Sequence, residues 1–119
     1  MAVKRGDVVL THVKFSSGPG GKVRPALVVQ SDHNNLRLQD TIIALITRTT
    51  HRAQIEATQL LIDITTPEGR LSGLLQNSAV KCEHLETVLQ GDIQRIIGSL
   101  PALLIQQIDS CLKVALGLP

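Results

Sequence analysis

Short apolar runs separated by polar turns fill the first two-thirds of the chain, a pattern typical of β-strands. The strongest runs are rich in Val, Ile, Leu and Thr: Asp7–Lys14, Arg24–Ser31 and Asp40–Thr47. Weaker runs predict three further strands: Ile55–Ile64, Leu74–Cys82 and a short piece around Thr87–Leu89. Segments rich in Gly, Pro, Asn and Asp predict a loop and two turns: Ser16–Lys22, Asp32–Asn35 and Thr66–Gly69. Asp40–Thr47 is apolar enough to be buried on both faces.

The pattern changes to helical spacing after Pro101. Apolar residues recur three or four positions apart: Leu104, Ile105, Ile108, Leu112, Ala115 and Leu116. Pro101 suits the first turn of this helix and Gly117 its end. Asp92–Gly98 is predicted to form a short helical turn before it. The sequence therefore predicts one domain over residues 1–119, a mainly β fold. We expect a small, strongly curved antiparallel barrel with a C-terminal helix packed on it.

Composition narrows the classes of protein that fit. Hydrophobic residues make up 43% and charged residues 18% of the 119 residues, which argues against disorder. No apolar run is long enough to span a membrane, and no apolar signal-peptide core follows Met1. We therefore expect a cytoplasmic protein whose two cysteines, Cys82 and Cys111, are reduced. The only aromatic residue is Phe15, which argues against a base-stacking module or an aromatic cage.

Positive charge is concentrated in the first half of the chain. Residues 1–54 hold eight Lys/Arg against three Asp/Glu, whereas residues 55–119 hold four against seven. Such an asymmetry fits a polyanionic partner for the first half, or ordinary surface scatter.

Two candidate phosphate contacts lie close together near the start of the chain. The Gly-rich segment Gly18–Gly21 either simply connects two strands or has a function. In the second case it is a mobile lid, or its backbone amides, with Gly20 and Gly21 beside Lys22, contact a phosphate. It is not a P-loop, because it lacks the GxxxxGK[ST] pattern and a following helix. Arg24, which opens the second strand, forms either a surface ion pair or a bidentate phosphate contact.

Two further candidates follow later strands. Thr47 ends a buried strand, and the loop after it adds hydroxyl groups and cations that either grip phosphate or are merely solvated: Arg48, Thr49, His51 and Arg52. In an extended chain, Lys81 and Glu83 share one face and Cys82 takes the other. The Lys–Glu pair is either a salt bridge or an acid/base pair, and His84 is a second acid/base candidate. The histidines and cysteines show no metal-ligand spacing, so no metal or cofactor is predicted.

The order of motifs resembles the MazF/PemK (Kid) family of toxins from type II toxin–antitoxin systems. The motifs are RGDVVL at Arg5–Leu10, RPALVV at Arg24–Val29, ALIT at Ala44–Thr47, SAVKCEHLETV at Ser78–Val88 and LKVALGL at Leu112–Leu118. The resemblance covers nearly the whole chain.

This resemblance implies an SH3-like or CcdB-like barrel that forms a homodimer and acts as a metal-independent endoribonuclease. Family members cut single-stranded RNA, commonly messenger RNA, at short motifs. Attack by the 2′-OH leaves a 2′,3′-cyclic phosphate and a 5′-OH. A cognate antitoxin neutralises them by placing an extended acidic segment in the RNA site.

The family's active-site positions correspond to residues of this chain. Arg24 and Thr47 match the active-site Arg and Thr, and Lys81 and Glu83 match an Arg-x-Asp pair of one branch. We expect these four residues to be catalytic, with Glu83 or else His84 as the base. The residues expected to bind RNA are Gly20, Gly21, Lys22, Arg48, Thr49, His51, Arg52 and His84.

The chain departs from the family pattern [DE]QxRT, because His84 replaces the Gln and Glu86 replaces the Arg. The negative charge of Glu86 favours two alternatives. One is a degenerate nuclease that only binds RNA or an antitoxin, and the other is a non-catalytic CcdB-like toxin that acts on DNA gyrase. The intact pair of Arg24 and Thr47 favours the enzyme.

Overall fold

A computed structural model describes residues 2–13 and 21–119. The strands are β1 (Asp7–Val13), β2 (Lys22–Val28), β3 (Asp40–Thr47), β4 (Gln59–Ile62), β5 (Ser78–Leu89) and β6 (Ile93–Ser99). The α-helices are α1 (Asp32–Arg37), α2 (Pro67–Arg70) and α3 (Ala102–Leu116). Single turns of 3₁₀-helix occupy His51–Gln54 and Gln90–Asp92. Within the described residues, no helix is both long enough and apolar enough to cross a bilayer.

The strands form one antiparallel sheet in the order β4-β5-β3-β2-β1-β6. β5 ends at Leu89 and β6 begins at Ile93, although three strands lie between them in the sheet. In a flat sheet these four spacings span about 19 Å, whereas the chain from Leu89 to Ile93 reaches at most about 14 Å. The sheet must therefore curl strongly, as expected for the predicted small barrel.

Apolar side chains fill both faces of the curled sheet. The cluster on one face packs under α3 and includes Val8, Leu27, Ala44, Ile46, Ile62, Val80 and Ile108. The cluster on the other face includes Val9, Val13, Ala26, Val28, Ile43 and Leu45. Successive residues of β3 alternate between these clusters, which confirms that this strand is buried on both sides. Val88 of β5 and Ile93 of β6 both pack on the second cluster, so the curl closes over it.

The C-terminal helix follows its predicted pattern. Pro101 is the N-cap residue of α3, and Gly117 ends the helix with a left-handed φ of 68° that favours glycine. Ile108 and Cys111 are buried in the cluster beneath the helix. An ion pair of 2.6 Å between Arg5 and Asp109 ties the helix to the segment before β1.

Several element predictions were wrong at the local level. The turn predicted at Asp32–Asn35 is α1, because Ser31 caps the helix by accepting a hydrogen bond from the Asn34 N–H and Asp32 complements the helix dipole. The predicted turn at Thr66–Gly69 is likewise capped by Thr66 and forms α2. The predicted Ile55–Ile64 strand is shortened to β4. The strand predicted at Leu74–Cys82 begins only at Ser78. It continues through the piece predicted at Thr87–Leu89 as one strand, β5.

The helical turn predicted at Asp92–Gly98 is strand β6. β6 pairs with β1, but the register shifts twice, between Val8 and Val9 and between Leu10 and Thr11. Each shift adds an extra residue to β6 and breaks its period of two. The apolar positions of β6 therefore have a spacing that resembles a helix.

Buried amides fasten α1 to the sheet. Asn35 is 2% exposed, and its side chain donates to the Gln30 carbonyl at 3.0 Å. The Asn35 Oδ1 accepts hydrogen bonds from Gln30 Nε2 at 3.0 Å and from Thr41 Oγ1 at 2.7 Å. Gln90 Nε2 donates to the Asn35 carbonyl at 2.8 Å. Because these groups satisfy one another, loss of one leaves the others unpaired.

We expect Asn35→Ala to lower the free energy of unfolding by about 1–3 kcal/mol, because it leaves buried polar groups of Gln30 and Thr41 without this partner. Urea denaturation measures the change. His33→Ala is the matched control, because His33 is exposed on the same helix; we expect a change within about 0.5 kcal/mol. Equal losses for both variants would contradict the role of this network.

Candidate functional site

Arg24 and Thr47 lie side by side on two neighbouring strands. Arg24 is the third residue of β2, which begins at Lys22 rather than at Arg24 as predicted, and Thr47 is the last residue of β3. β2 and β3 pair Val28 with Ile43 and Ala26 with Leu45. Continued by two residues, this register sets Arg24 opposite Thr47 on the same face of the sheet. The structure thus brings together two residues that are far apart in the sequence, as the predicted site requires.

Both residues line a cavity of about 790 Å³. Its polar lining consists of Arg24, Thr47, Arg48, Thr49, Gln76, Ser78 and Arg95. Apolar lining comes from strands on both sides, including Leu10 of β1 and Ile97 of β6. Among the described residues, the lining contains three arginines and no carboxylate. We call it the arginine cavity, and its positive charge attracts anions.

The backbone of the loop after β3 fixes the Thr47 hydroxyl. The Thr49 N–H donates to Thr47 Oγ1 at 3.2 Å. A threonine hydroxyl that accepts one hydrogen bond still has its own proton to donate. Thr47 is only half-buried, so it can offer this proton to a group inside the cavity.

The segment after α2 reaches the cavity because two glycines allow close backbone contact. A Cβ at Gly98 would collide with the carbonyl of Leu71, and a Cβ at Gly73 would collide with that of Ile97. Gly73 also has a φ of 73°, in the left-handed region. The segment therefore crosses close to β6 and brings Leu74, Leu75 and Gln76 to the cavity. Leu75 is 90% exposed there.

Glu83 is held against the start of β4. Thr58 Oγ1 donates to Glu83 Oε1 at 3.1 Å, and Gln59 Nε2 donates to Oε2 at 2.8 Å. Partial burial raises the pKa of Glu83, but the hydrogen bonds from Gln59, its own backbone and Thr58, with the charge of Lys81, outweigh it and hold the pKa below its usual value. Glu83 is therefore ionised at neutral pH and is a weaker base than an ordinary glutamate.

Lys81 shares a sheet face with Thr47. Leu45 pairs with Lys81 and Thr47 pairs with Ala79, so Lys81 is the diagonal neighbour of Thr47, with Cβ atoms about 7 Å apart. Beyond Lys81 the register jumps, because Ala44 pairs with Leu85. As far as the chain is described, the cavity lining includes none of Lys81, Glu83 and His84. These three residues lie along β5 rather than in the cavity.

The prediction that Cys82 takes the face of β5 opposite Lys81 and Glu83 is confirmed. Cys82 is fully buried beneath α3, on the face opposite Glu83, and Cys111 of α3 belongs to the same cluster. Burial raises the pKa of Cys82 to about 12, and Cys111 and Glu83 contribute to the same direction. Both thiols are free. A thiol with this pKa is protonated at neutral pH and is not a nucleophile.

The remaining predicted RNA contacts are dispersed. Arg48 and Thr49 line the cavity, whereas the exposed His51 and Arg52 occupy the 3₁₀ turn after them. Lys22 is exposed at the start of β2. Gly21 lies so close to β1 that a Cβ would collide with the Val13 carbonyl. Gly20 lies outside the described residues, as does Phe15.

Glu86, the departure from the family pattern, lies at a second cavity of about 430 Å³. His12 and Asp92 line that cavity with it. The Glu86 carboxylate is 3.4 Å from His84 Nε2. The reversed charge is thus absent from the described lining of the arginine cavity.

Sequence reasoning missed Arg95, Gln76 and Ser78 as members of the site. Arg95 was placed in a helical turn, but it pairs with Leu10 at the edge strand β6. The only feature of Arg95 in the sequence that could have indicated a phosphate contact is its positive charge. Arg24, Arg48 and Arg95, which come from three segments of the chain, thus line one cavity, and arginine is well suited to bind phosphate.

No group of three or more His, Cys, Asp or Glu side chains suited to a metal ion occurs within the described residues. The polar residues that line the arginine cavity carry guanidinium, hydroxyl and amide groups. They can bind an anion and stabilise negative charge that develops on it.

Comparisons with known proteins agree on the family. A sequence profile described as PemK-like, MazF-like toxin of type II toxin–antitoxin system matches residues 4–116. Endoribonuclease EndoA of Bacillus subtilis (strain 168) is 32% identical over 123 residues, which cover 99% of this chain and 97% of EndoA. Endoribonuclease MazF2 of Mycobacterium bovis is 31% identical over 120 residues, 99% of this chain and 100% of MazF2.

The fold is shared with a solved structure of a mycobacterial endoribonuclease in complex with its cognate antitoxin. The TM-score is 0.78 at 22% identity, with 99% of this chain and 98% of the other covered. Together with the profile match over residues 4–116, this confirms the resemblance in the motif order: the chain belongs to the MazF/PemK family of toxins of type II toxin–antitoxin systems.

Proposed function

We propose that this chain is a toxin that cuts single-stranded RNA, chiefly messenger RNA, as a metal-independent endoribonuclease. The observation that carries the proposal is the pairing of Arg24 and Thr47 in a cavity lined by three arginines and, among the described residues, no carboxylate. The names of the two relatives, both endoribonucleases, support the same activity.

The chemistry starts from a nucleophile that RNA itself supplies. The 2′-OH attacks the adjacent phosphorus, the bond to the 5′-oxygen breaks, and the products carry a 2′,3′-cyclic phosphate and a 5′-OH. Because the nucleophile is already tethered beside the phosphorus, the step does not depend on a metal to deliver it. The protein must stabilise charge on the phosphate oxygens and transfer two protons.

Arg24 and Thr47 supply the charge stabilisation. The Arg24 guanidinium binds the scissile phosphate through two parallel hydrogen bonds, which strengthen as negative charge develops. The Thr47 hydroxyl donates to the same phosphate, since its oxygen already accepts from Thr49. Arg48 and Arg95 hold neighbouring phosphates along the strand.

Proton transfer is assigned to residues of β5. Glu83 is proposed as the base that takes the 2′-OH proton, with Lys81 as a second cation and His84 as the alternative acid or base. Lys81 supports this assignment through its place diagonal to Thr47. To reach the substrate, the Glu83 carboxylate has to leave its hydrogen bonds with Thr58 and Gln59.

The partners follow from the same cavity. A cationic cavity that binds an RNA strand also suits an extended acidic segment of an antitoxin, and the mycobacterial neighbour was solved with its cognate antitoxin. We further propose that the protein works as a homodimer in the cytoplasm, where messenger RNA is found.

A second candidate function is an inactive nuclease that binds RNA or an antitoxin without cleavage. Glu86 and Asp92 favour it, since they make the second cavity acidic and unfavourable for phosphate. The CcdB-like action on DNA gyrase has no support of this kind. The cleavage assay below separates the enzyme from the inactive binder.

We expect Arg24→Ala to slow RNA cleavage by about 10²–10³-fold, because it removes one group that stabilises the transition state. The measurement is the rate of cutting of end-labelled single-stranded RNA in the presence of EDTA. Arg37→Ala is the matched control, because Arg37 lies on α1 and bonds Asn34 within that helix. A wild-type rate in the Arg24 variant would remove Arg24 from the mechanism, provided that both variants melt at the wild-type temperature.

Arg95→Ala and Arg48→Ala should each weaken RNA binding and make it less sensitive to salt. Each lost phosphate contact should reduce the slope of log K against log[salt] by about 0.7. The probe is a single-stranded DNA copy of a mapped cut site, which lacks the attacking 2′-OH. Arg37→Ala should leave the slope unchanged. An unchanged slope in the Arg95 variant would show that RNA does not follow β6.

The role of Glu83 can be separated into stability and catalysis. Because its pKa is lowered in the folded state, its stabilising effect is present above the unfolded pKa of about 4.3 and is lost as the pH falls through the folded pKa. Glu83→Gln should therefore cost more stability at pH 7 than at pH 3, as measured by urea denaturation. As the base, Glu83 should also give the cleavage rate an acid limb that is absent from the variant. Because the pKa of Glu83 is lowered in the folded protein, this limb should lie at a lower pH than an ordinary glutamate would give. Full activity in Glu83→Gln would show that Glu83 is not the base and only stabilises the contact with β4. His84 would then be the candidate base.

A further inference from the structure

A buried hydroxyl on β1 has no evident structural purpose. Thr11 is fully buried, and its Oγ1 has no hydrogen-bond partner among the described residues. Burial of an unpaired hydroxyl costs stability, so valine would suit a purely structural position better. Thr41, the other fully buried threonine of the described chain, bonds Asn35 through its hydroxyl. Thr11 therefore differs from Thr41 in that no hydrogen bond to a described residue accounts for its buried hydroxyl.

The register of the sheet places Thr11 beside Arg24. Thr11 and Arg24 are direct partners in the pairing of β1 with β2. Paired residues project to the same face, with Cβ atoms about 5 Å apart. The Arg24 Nε is also a buried atom. Because Thr47 flanks Arg24 on the other side, the three residues form a row across β1, β2 and β3.

We propose that Thr11 is a positioning residue for Arg24. The Thr11 hydroxyl accepts a hydrogen bond from the inner Nε–H of the guanidinium when Arg24 engages phosphate. The two outer nitrogens then bind the phosphate through two parallel hydrogen bonds. This inference rests on the proposed function, since it names a residue that orients the arginine of that same site.

The physical reason lies in the freedom of the arginine side chain. An arginine loses much rotamer freedom when it is fixed. Transition-state stabilisation is largest when the donor is already in place before the reaction. A hydroxyl held in the sheet, buried and opposite Arg24, fixes the guanidinium with no movement of the backbone. The role in orienting Arg24 thus explains why a buried hydroxyl that costs stability is present at position 11.

The test compares three variants in the RNA cleavage assay. Thr11→Val keeps the shape and removes the hydroxyl, so we expect kcat to fall about tenfold while the melting temperature stays the same or rises. Thr11→Ser retains the hydroxyl and should keep most of the activity. Thr41→Val is the matched control, and it should lower the melting temperature and leave kcat unchanged. A kcat within twofold of wild type in Thr11→Val, or a Thr11→Ser variant as slow as Thr11→Val, would overturn the proposal.

A second measurement does not depend on cleavage. The Arg24 Nε–H gives its own signal in a ¹H–¹⁵N spectrum, identified by its loss in Arg24→Lys. With inorganic phosphate as the probe ligand, we expect this proton to exchange with water more slowly in the wild type than in Thr11→Val. Thr41→Val should match the wild type. Equal exchange rates in the wild type and Thr11→Val would overturn the positioning role, whereas a wild type that shows the difference but cuts no RNA would overturn only the proposed function.

Discussion

The short connection between β5 and β6 constrains the whole molecule. Because it cannot span the three strands that separate its ends in the sheet, the sheet has to curl. The curl encloses the second apolar cluster and brings Ser78 of β5 and Arg95 of β6 to the same cavity. In a flat sheet these two residues would lie far from each other. The functional site is therefore a consequence of chain closure as much as of any local motif.

The site combines two rigid strands with arginine side chains from segments that are distant in the sequence. Arg24 and Thr47 stand on strands fixed by pairing, while Arg48 lies in the following loop and Arg95 on the edge strand. With a single aromatic residue in the chain, base stacking can contribute little, so recognition depends on phosphate contacts and polar groups. The row of Thr11, Arg24 and Thr47 adds an internal support to the central arginine.

The sequence predicted what depends on local pattern, and it missed what depends on register. The bounds of β3 and the end of α3 at Gly117 follow from local pattern. Arg24 and Thr47 were placed in one site only by the resemblance to the family, and the register of β2 with β3 is what sets them side by side. The strand β6 was missed because two register shifts break its alternation, and Arg95 was missed with it. Lys81, Glu83 and His84 were grouped with Arg24 through the family motif. Hydrogen bonds from Thr58 and Gln59 hold Glu83 against β4, which no local pattern in the sequence reveals.

The proposed function requires that the arginine cavity promote attack by the 2′-OH of RNA. The most direct measurement replaces the single ribose before a mapped cut with deoxyribose and follows both cleavage and binding of the oligonucleotide. We expect the all-RNA strand to be cut to cyclic-phosphate and 5′-OH ends in EDTA. We expect the substituted strand to bind as tightly and to stay intact. Cutting of the substituted strand at the same bond would contradict the proposed function.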